Sequence, residues 1–387
     1  MFAIIILFSL FIPNILTHYK AVLVAGSNYW GNYRHQADVF HAYTELTNNG
    51  VSPKDITMFA YNDIAYYFFN PKPGVVINQF NGPNVFPGNA SISFSGDDVT
   101  PENFLNTLLN LSHPNLDLLI YFADHGGAGI LCFLDDNLYE DQLKKTILSM
   151  KYKSLIFIVE ACEAASMFED WFPNNTNAVV ISATDDINPS FACSYDDTLE
   201  TYLGDCFSMN TLEFLDPADT LVETFEMLTT VVTNQTITSP VQIIGDKSML
   251  KKEIYKYWGI HQGGVVNKIS KKFQRKFKTA VSSWDVNNDI GKRTTHNPKF
   301  DFIRQQDNKE RILYNKLVNS LQKQITVTNN YRPINSPCIR SCVKTLKLQG
   351  IILTGYAKKF HRNMAQLCHT VELSVVKNIM LNIANTI

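Results

Sequence analysis

The sequence lacks the features that mark a metal site or a membrane-spanning chain. No Cys-x-x-Cys pair and no His cluster has the spacing of zinc ligands, so we expect no metal and no other cofactor. Beyond the first residues no apolar run is long enough to cross a bilayer, so we expect no transmembrane anchor in the mature chain. Hydrophobic residues make up 45% of the 387 positions, which excludes a disordered chain and indicates one large core with a second domain.

The N-terminal residues predict entry into the secretory pathway. Residues 2–16 are mostly apolar and residues 17–20 are polar, which is typical of a signal peptide covering residues 1–17. The basic start that such segments usually carry is missing, so an uncleaved anchor is the alternative. Seven cysteines are an odd number, which in a secreted protein predicts at least one free thiol. Four Asn-x-Ser/Thr triplets are candidate glycosylation sites: Asn89, Asn110, Asn174 and Asn234.

Charge is distributed unevenly along the chain. Residues 1–285 contain 18 Lys/Arg against 31 Asp/Glu, a balance of −13, whereas residues 286–387 contain 16 against 5, a balance of +11. A basic segment suits nucleic acid, but in a secreted chain its own acidic part is the nearer partner. We therefore expect an intramolecular contact between the two parts and no nucleic-acid partner.

Apolar runs that alternate with helical patterns predict the fold. Strands are expected at residues 21–25, 56–61, 118–122, 155–159 and 178–182, and helices at residues 38–48, 101–111 and 141–150. This alternation predicts a doubly wound α/β domain over residues 18–281, with a mostly parallel sheet and helices on both faces. Residues 282–300 lack periodicity and predict an exposed linker, and residues 301–387 predict a small, basic, all-α domain. We call these three parts the body, the linker and the tail.

Two of the predicted strands end in reactive side chains. Residues 118–122 lead to His125 and two glycines, and residues 155–159 lead to Cys162. Because the carboxyl ends of parallel strands meet at one edge of a sheet, we expect these side chains to lie close together. A thiol becomes a nucleophile when a neighbouring base takes its proton. The pattern therefore predicts Cys162 as a nucleophile and His125 as its general base.

Short motifs around these residues occur in an order that is specific in combination. They include Asn32-Tyr-Arg-His35, Asn70-Pro-Lys-Pro-Gly74, Asp124-His-Gly-Gly127, Glu160-Ala-Cys162 and Tyr202-Leu-Gly-Asp205. From residue 21 to about residue 210 the chain resembles the asparaginyl endopeptidase (legumain) family of cysteine proteases. The resemblance implies a caspase-like fold and cleavage of proteins and peptides after Asn, or after Asp at acid pH. It also implies a helical prodomain that covers the active site, and a lysosomal, vacuolar or secreted location.

The resemblance also assigns roles to residues beside Cys162 and His125. It implies that Asn32 orients the His125 ring, and the backbone N–H of Gly126 is suited to an oxyanion hole together with that of Cys162. A pocket for an Asn side chain needs a donor and an acceptor, and the family pattern supplies them from Arg34, His35, Glu160 and Asp205. Asp124 matches a family position that can form a succinimide, with a simple turn cap as its alternative role.

Three positions depart from the family pattern. Ala164-Ala165 replace a Ser-Gly pair behind the nucleophile, and Pro189 replaces a pocket serine, although Ser190 follows it. Cys206 stands where an aromatic residue is common and is expected to be a second thiol near the pocket, open to oxidation. The effect of these changes on the preference for Asn stays open.

The tail resembles the family prodomain more loosely. The family prodomain has two disulfides, and the resemblance implies only one of them here, Cys338–Cys368. Gly350 stands where a cysteine of the second disulfide belongs. Cys342 stays unassigned, and Cys132 and Cys193 are expected to be buried thiols. The tail is expected to inhibit the body at neutral pH and to leave at acid pH as carboxylates gain protons. Self-cleavage is expected in the linker at Asn287, Asn288 or Asp289. Asn297 is less suitable because Pro298 follows it, and proteases rarely cut the bond before a proline.

Other functions share these residues. The catalytic subunit of the glycosylphosphatidylinositol transamidase carries similar motifs, but it is expected to end in a membrane anchor and to lack a basic helical domain. A peptide ligase uses the same thioester, with an amine in place of water. A non-catalytic binding protein on a protease fold is a further alternative, which the changed residues Ala164-Ala165 keep open.

Overall fold

The structure of the chain is a computed structural model that describes residues 18–214, 240–251, 255–258, 280–295, 297–326 and 332–387. The predicted signal peptide, residues 1–17, and the sequon at Asn234 lie outside the described residues. The other three sequons, at Asn89, Asn110 and Asn174, lie on the exposed surface, where a glycan could be attached.

A six-stranded sheet forms the centre of the body. Its strands run in the order β11-β8-β7-β3-β1-β2. Every neighbouring pair is parallel except β11 with β8, which places one antiparallel strand at an edge. The bounds are β1 His18–Ala25, β2 Ile56–Phe59, β3 Leu116–Ala123, β7 Ser154–Glu160, β8 Ala178–Ser182 and β11 Gln242–Gly245. The predicted mostly parallel sheet is confirmed.

Helices cover both faces of this sheet. Alternate residues of β1 enter two separate cores: Leu23 packs in the core that contains Phe40, and Val22 packs in the core that contains Phe104. Thr100 caps the second helix by accepting a hydrogen bond from the backbone N–H of Asn103 at 3.1 Å. The body helices are α1 Tyr33–Asn48, α2 Pro101–Leu111, α3 Glu140–Ser149, α4 Cys206–Phe214 and α5 Tyr255–Trp258.

Two small antiparallel sheets flank the carboxyl end of the main sheet. One has the order β4-β5-β6 and the other has the order β10-β9-β12. Their strands are β4 Gly126–Gly127, β5 Ile130–Phe133, β6 Asp136–Tyr139, β9 Phe191–Asp196, β10 Thr201–Asp205 and β12 Ala280–Ser282. These strands follow the reactive strand ends, so they frame the predicted site.

The predicted exposed linker is wrong in its conformation. Residues 286–293 form helix α6 (Val286–Arg293), with Val286 and Ile290 buried in the core of the body. The helix has only two apolar residues, four positions apart. Such a short pattern is too weak to predict a helix from the sequence. The strand before it, β12, ends at the first residue of the linker and pairs with β9. The linker is therefore attached to the body by this strand as well as by the buried residues of α6.

The tail is helical throughout its regular structure. Its helices are α7 Asp301–Gln324, α8 Ser336–Leu348, α9 Phe360–Thr370 and α10 Leu373–Thr386. They enclose an apolar core that also takes in Ile130 and Cys132 of β5, so tail and body share buried surface. The tail carries the disulfide Cys338–Cys368, the pair that the resemblance implied.

The structure corrects the assignment of two other cysteines. Cys193 and Cys206, expected as separate thiols, form a disulfide that closes a span of 13 residues. The β9–β10 hairpin places Cys193 opposite Gly204, next to the start of α4, and this brings the two sulfurs together. The free cysteines among the described residues are all buried: Cys132, Cys162 and Cys342.

Candidate active site

Adjacent strand ends bring the predicted residues together. In the sheet register Ala25 pairs with Ala123, and Ala123 pairs with Glu160, so the segments that follow β1, β3 and β7 emerge side by side. A backbone hydrogen bond from Asp124 N–H to the Glu160 carbonyl, at 3.1 Å, ties the second and third segments together beyond the sheet.

Asn32 holds the His125 ring. Nε2 of His125 lies 3.0 Å from Oδ1 of Asn32, while the Asn32 amide nitrogen donates to the Asn28 carbonyl at 3.0 Å. That second bond fixes which end of the amide faces the imidazole. Because an amide oxygen only accepts, Nε2 carries the ring proton and Nδ1 is the basic nitrogen.

Cys162 lies buried just after β7, against Ser190, the residue that precedes β9. Its Sγ accepts a hydrogen bond from the Ser190 backbone N–H at 3.3 Å and lies 3.6 Å from the Ser190 hydroxyl. Burial raises the pKa of the Cys162 thiol to about 12, against a lowering by these Ser190 bonds. Desolvation likewise lowers the pKa of His125 well below its usual range, opposed by the charge of Asp124. In this covered state both groups are neutral, so the thiol is held in its unreactive form.

Gly126 leaves room for no side chain. A Cβ added at this position would lie 2.5 Å from the Cys162 carbonyl oxygen and 3.0 Å from the Ala161 Cβ. The backbone at Gly126 therefore approaches the backbone at Cys162 closely, which only a glycine allows.

We expect Gly126→Ala to separate the two strand ends. The overlap with backbone cannot be relieved by a rotamer change, so the unfolding free energy should fall by about 1–3 kcal/mol. The reactive geometry should be lost as well. Thermal unfolding and peptide cleavage measure the two effects, with Gly127→Ala as control because a Cβ there meets its nearest atoms at 3.5 Å, an ordinary contact. Full activity in Gly126→Ala would contradict the assignment.

A buried polar cluster lies behind the nucleophile. Arg34 Nε donates to Asp205 Oδ1 at 2.8 Å, and both side chains are almost fully buried. Glu160 Oε2 accepts from the Ser208 backbone N–H at 2.9 Å. Three atoms of this cluster have no hydrogen-bond partner: Arg34 Nη2, Glu160 Oε1 and Asp205 Oδ2. Buried donors and acceptors without partners are costly, so a cluster of them indicates a place for a polar ligand.

The cluster contains more acids than cations. Burial and the charge of Asp205 raise the pKa values of Asp38 and Glu160 well above their usual range. Asp38 is fixed by the Asp205 backbone N–H at 3.0 Å and by the Asn78 amide at 2.7 Å. A protonated Glu160 can donate a hydrogen bond as well as accept one, so the pocket can serve both ends of an amide.

His35 and Asp124 complete the wall between the pocket and His125. Nδ1 of His35 lies 2.6 Å from the Ser27 hydroxyl and 3.1 Å from Asp124 Oδ1, and the two histidine rings meet edge to face at 5.0 Å. Burial lowers the pKa of His35 to about 3, so the ring is neutral. Asp124 is buried and does not cap a helix.

Two groups of three side chains among the described residues have the proximity of metal ligands. In the first, Cys338 and Cys368 are joined in a disulfide, which leaves only Cys342 as a thiol. The second is His35, Asp124 and His125, whose ring nitrogens bond to Ser27 and Asn32. These donors do not form a closed metal-ligand set, and our mechanism uses no metal.

The linker occupies the edge of this site. β12 adds to β9 as an antiparallel strand, and the next residue, Ser283, donates its backbone N–H to the Ser190 carbonyl at 2.9 Å. The Ser283 hydroxyl lies 3.0 Å from that of Ser190 and 3.5 Å from Asp205 Oδ1. An extended peptide commonly binds a protease by adding a strand to such an edge. Ser283 therefore lies where the side chain before a cut would enter the pocket.

The expected cleavage positions, Asn287, Asn288 and Asp289, lie beyond this point, and all three belong to helix α6. Asn287 lines a cavity together with Asn32 and His125, and its Oδ1 has no partner. Asp289 accepts a hydrogen bond from the Tyr202 hydroxyl at 2.6 Å. None of the three therefore has the extended conformation of a peptide about to be cut.

Besides the shared apolar core, the tail contacts the body through cations that face body carboxylates. Arg332 lies 2.7 Å from Glu169 and 3.3 Å from Asp170, and Arg362 lies 3.1 Å from the buried Glu163, next to the nucleophile. Arg340 pairs with Asp141, and Lys347 pairs with Asp136 at 3.9 Å. The opposite net charges of the two parts therefore meet in specific pairs.

Two further tail residues lie buried against the body near the site. Lys358 donates from Nζ to the Leu134 carbonyl at 3.0 Å, and its charge acts on Cys132 and Asp124. Nδ1 of His361 lies 2.8 Å from the Lys358 carbonyl, and its Nε2 lies 3.5 Å from the Asn137 amide. The sequence analysis missed both, and it missed Ser190 and Ser283. A basic run at residues 358–362 was the only signal, and it does not say which residues become buried.

The chain was compared with known proteins. The model of the peptidase C13 family matches residues 19–260. Human legumain is 38% identical over 257 residues, which cover 62% of this chain and 59% of that protein. Mouse legumain is 40% identical over the same shares of the two chains. Legumain of Canavalia ensiformis is 30% identical over 408 residues, or 90% of this chain and 85% of that protein.

The extent of these matches differs between relatives. The chain spans about three fifths of the length of the mammalian legumains it matches. Among solved structures, caspase-1 from Spodoptera frugiperda aligns with a TM-score of 0.37 and 13% identity, over 64% of this chain and 92% of that one. Since the family model matches more than half of the chain, this protein belongs to the peptidase C13 family.

Proposed function

We propose that the protein is a cysteine endopeptidase that cleaves after Asn, and after Asp at acid pH. The observation that carries this proposal is the set of unpartnered buried atoms on Arg34, Glu160 and Asp205, behind Cys162 and His125. The relatives named legumain and vacuolar-processing enzyme support the same reaction.

The geometry supports a thioester mechanism. His125 Nδ1 takes the thiol proton, and the Cys162 sulfur attacks the carbonyl carbon that follows the substrate side chain. The N–H groups of Gly126 and Cys162 stabilise the resulting oxyanion. As the peptide C–N bond breaks, His125 gives its proton to the leaving amine. Water then loses a proton to His125, attacks the thioester and releases the acid and the free thiol.

The pocket chemistry supports the preference for Asn. Arg34 Nη2 can donate to the side-chain carbonyl of Asn, while Asp205 Oδ2 and Glu160 Oε1 can accept from its NH₂ group. An Asp side chain would bring a further carboxyl group to Glu160 and Asp205. It fits only when it carries a proton, which it gains near pH 4.

The tail and linker act as an intramolecular inhibitor in this proposal. The linker fills the β9 edge where a substrate strand would add, and Ser283 reaches the pocket. Serine is not the residue that this pocket selects, and helix α6 follows it directly. Cleavage at Asn287, Asn288 or Asp289 would require this helix to unwind and the segment to move along the edge.

Buried groups at the contact respond to pH in opposite directions. Burial lowers the pKa of His361 to about 4, with the charges of Lys358 and Lys347 acting in the same direction. Its contribution to the covered state is present above about pH 6.5 and is lost as the pH falls towards 4. Burial raises the pKa of Glu163 to about 8, against the charge of Arg362, so Glu163 favours the covered state as the pH falls. Protonation of the buried Glu163 therefore opposes release, whereas the charge balance of the sequence predicts that protonation of carboxylates favours it.

We expect His361→Gln to make the tail harder to release by acid. Glutamine cannot gain a charge, so the midpoint of release should move about one pH unit lower. Protease sensitivity of the linker between pH 7 and pH 4 measures the midpoint, with the exposed His369→Gln as control. An unchanged midpoint would exclude His361 as a proton sensor and leave the exposed ion pairs to drive release.

Cleavage of defined peptides tests the proposed function. Purified precursor is incubated at about pH 4–5, close to the carboxylate range. Peptides that differ only in Asn, Gln, Asp or Ala at one position are then added. We expect cuts after Asn at every pH where the enzyme is folded, cuts after Asp only at acid pH, and none with Cys162→Ala. Joined peptides in the presence of an added amine would indicate a ligase, and no product with any peptide would indicate a non-catalytic protein. An acidic compartment of the secretory pathway, such as a lysosome or vacuole, would suit this activity.

A further inference from the structure

Four consecutive aromatic residues lie near the candidate active site, and two of them are exposed. In the run Tyr66-Tyr-Phe-Phe69, Tyr66 is 64% exposed and Phe68 is 76% exposed. Tyr29, from the loop after β1, is 56% exposed. Soluble proteins avoid runs of exposed large apolar side chains unless the surface binds something.

The exposed rings rest on a rigid support. Tyr67 stacks on the buried Trp30 with ring centroids 5.7 Å apart, and Phe68 stacks on Tyr67 at 4.8 Å. Trp30 is anchored by a hydrogen bond from its indole N–H to the Leu199 carbonyl at 2.9 Å. The buried Phe69 lies 4.1 Å from Phe68 and closes the stack from below. The outer rings are therefore pre-positioned, which lowers the entropy cost of binding.

The stack borders the same cavity as the candidate catalytic pair. A cavity of about 650 Å³ is lined by Tyr29, Tyr67 and Phe68 on one side and by Asn32 and His125 on another. We call these three aromatic residues the aromatic ledge.

The tail already places apolar side chains against this region. Phe302 and Ile303, at the start of α7, also line the cavity. The Phe302 ring lies 5.7 Å from Phe69. When the tail leaves, the cavity beside the aromatic ledge loses Phe302 and Ile303 from its lining and opens towards solvent.

The direction of the linker shows which side of a cut the ledge would meet. Ser283 reaches the pocket for the residue before the cut, and four residues later Asn287 lines the cavity. His125, which would protonate the leaving amine, lines the cavity, whereas Cys162 does not. The cavity therefore lies on the side of the residues that follow the cut.

We propose that the aromatic ledge is a specificity site for an aromatic or large aliphatic side chain downstream of the cleaved bond. This inference rests on the proposed endopeptidase function. It adds a preference for a residue after the cut to the preference for Asn before the cut. A peptide is the expected occupant, because the ledge lines the same cavity as His125 and because apolar side chains of the tail already line that cavity.

Acid-activated enzyme and two kinds of substrate test the proposal. The first kind is a set of internally quenched peptides with one Asn and with Phe or Ser at each of the three following positions. The second kind carries Asn followed directly by a small fluorescent leaving group, so it never reaches the ledge. We expect kcat/KM to be about tenfold higher for Phe than for Ser at one of the three positions, as for burial of one aromatic side chain. The small substrate should be cut by every variant.

Phe68→Ala is the main variant, because its side chain is exposed and its loss should leave folding intact. We expect it to reduce the preference for Phe to about twofold or less. Phe80→Ala removes another exposed aromatic side chain that lies outside the cavity lining, and it should keep the full preference. Tyr67→Ala is a second variant and should act as Phe68→Ala does.

The outcomes separate the two proposals. Cleavage of the small substrate without any downstream preference, or with a preference that survives Phe68→Ala, would overturn the ledge and leave the endopeptidase standing. Failure to cut either substrate would overturn the endopeptidase and the ledge with it. Light scattering of the processed enzyme tests whether a second copy of the chain binds the ledge instead. A dimer that Phe68→Ala dissociates, with no change in peptide preference, would assign the ledge to self-association and overturn the proposal.

Discussion

Cys162 in the intact precursor should react with iodoacetamide at least about a hundredfold more slowly at pH 7 than an ordinary exposed thiol. A pKa of about 12 lowers the thiolate fraction by roughly 3,000-fold relative to a thiol of pKa 8.5. The higher intrinsic nucleophilicity of a more basic thiolate recovers roughly 30-fold of this loss. The full burial of the side chain slows the reaction further.

The pH profile makes the prediction specific. In the precursor the rate should rise about tenfold per pH unit up to the limit of stability, because the thiol titrates near pH 12. After removal of linker and tail, Cys162 should already react near neutral pH. Its rate should level off at a lower pH than in the precursor. Mass spectrometry of the peptide that contains Cys162 measures both rates, and Cys132→Ser removes a second thiol beside the tail as control. Equal rates before and after processing would show that the tail does not hold the thiol inactive.

Arg34→Lys should lower kcat/KM for Asn peptides by about a hundredfold, the value of a hydrogen bond to a charged group. Arginine serves two partners at once, with Nε bonded to Asp205 and Nη2 free for a substrate carbonyl. The single ammonium of lysine keeps the positive charge beside Asp205 but cannot supply this fork. Removal of the charge altogether would break a buried ion pair and cost about 3–5 kcal/mol of stability, so alanine would be a poor test.

A matched measurement separates recognition from chemistry in this variant. The charge of Arg34 acts on both Cys162 and His125, and lysine preserves it. The alkylation rate of Cys162 in processed enzyme should therefore stay within about threefold of the unmodified enzyme, while cleavage after Asn falls. A parallel loss of both would place Arg34 in maintenance of the nucleophile and not in the pocket.

The sequence predicts those parts of the site that depend on neighbouring strand ends. His125 and Cys162 follow buried apolar runs, and in parallel strands the register alone brings such positions to one edge. Asn32 and Arg34 lie at the start of α1, directly after the loop that follows β1, so their motif could be placed at the same edge. Periodicity and the cap at Thr100 likewise predict the main elements of the body to within a few residues.

Contacts that join distant segments could not be read in this way. The disulfide Cys193–Cys206 depends on the hairpin between its cysteines, and the sequence separation does not indicate it. Ser283 reaches the pocket because β12 adds to β9, a pairing with no local signal in three residues. His361 becomes buried only when the tail docks on Asn137, so its role in the response to pH depends on the assembled molecule.

The most direct test of the account is covalent trapping with a peptide electrophile that ends in Asn, compared with the same probe ending in Gln. The probe is added to precursor and to acid-processed enzyme, and intact mass and peptide mapping locate the adduct. We expect one adduct, on Cys162. It should form with the Asn probe and only after the linker and tail have been released. Adducts that form equally well with the Gln probe, on another residue, or in the intact precursor would contradict the account.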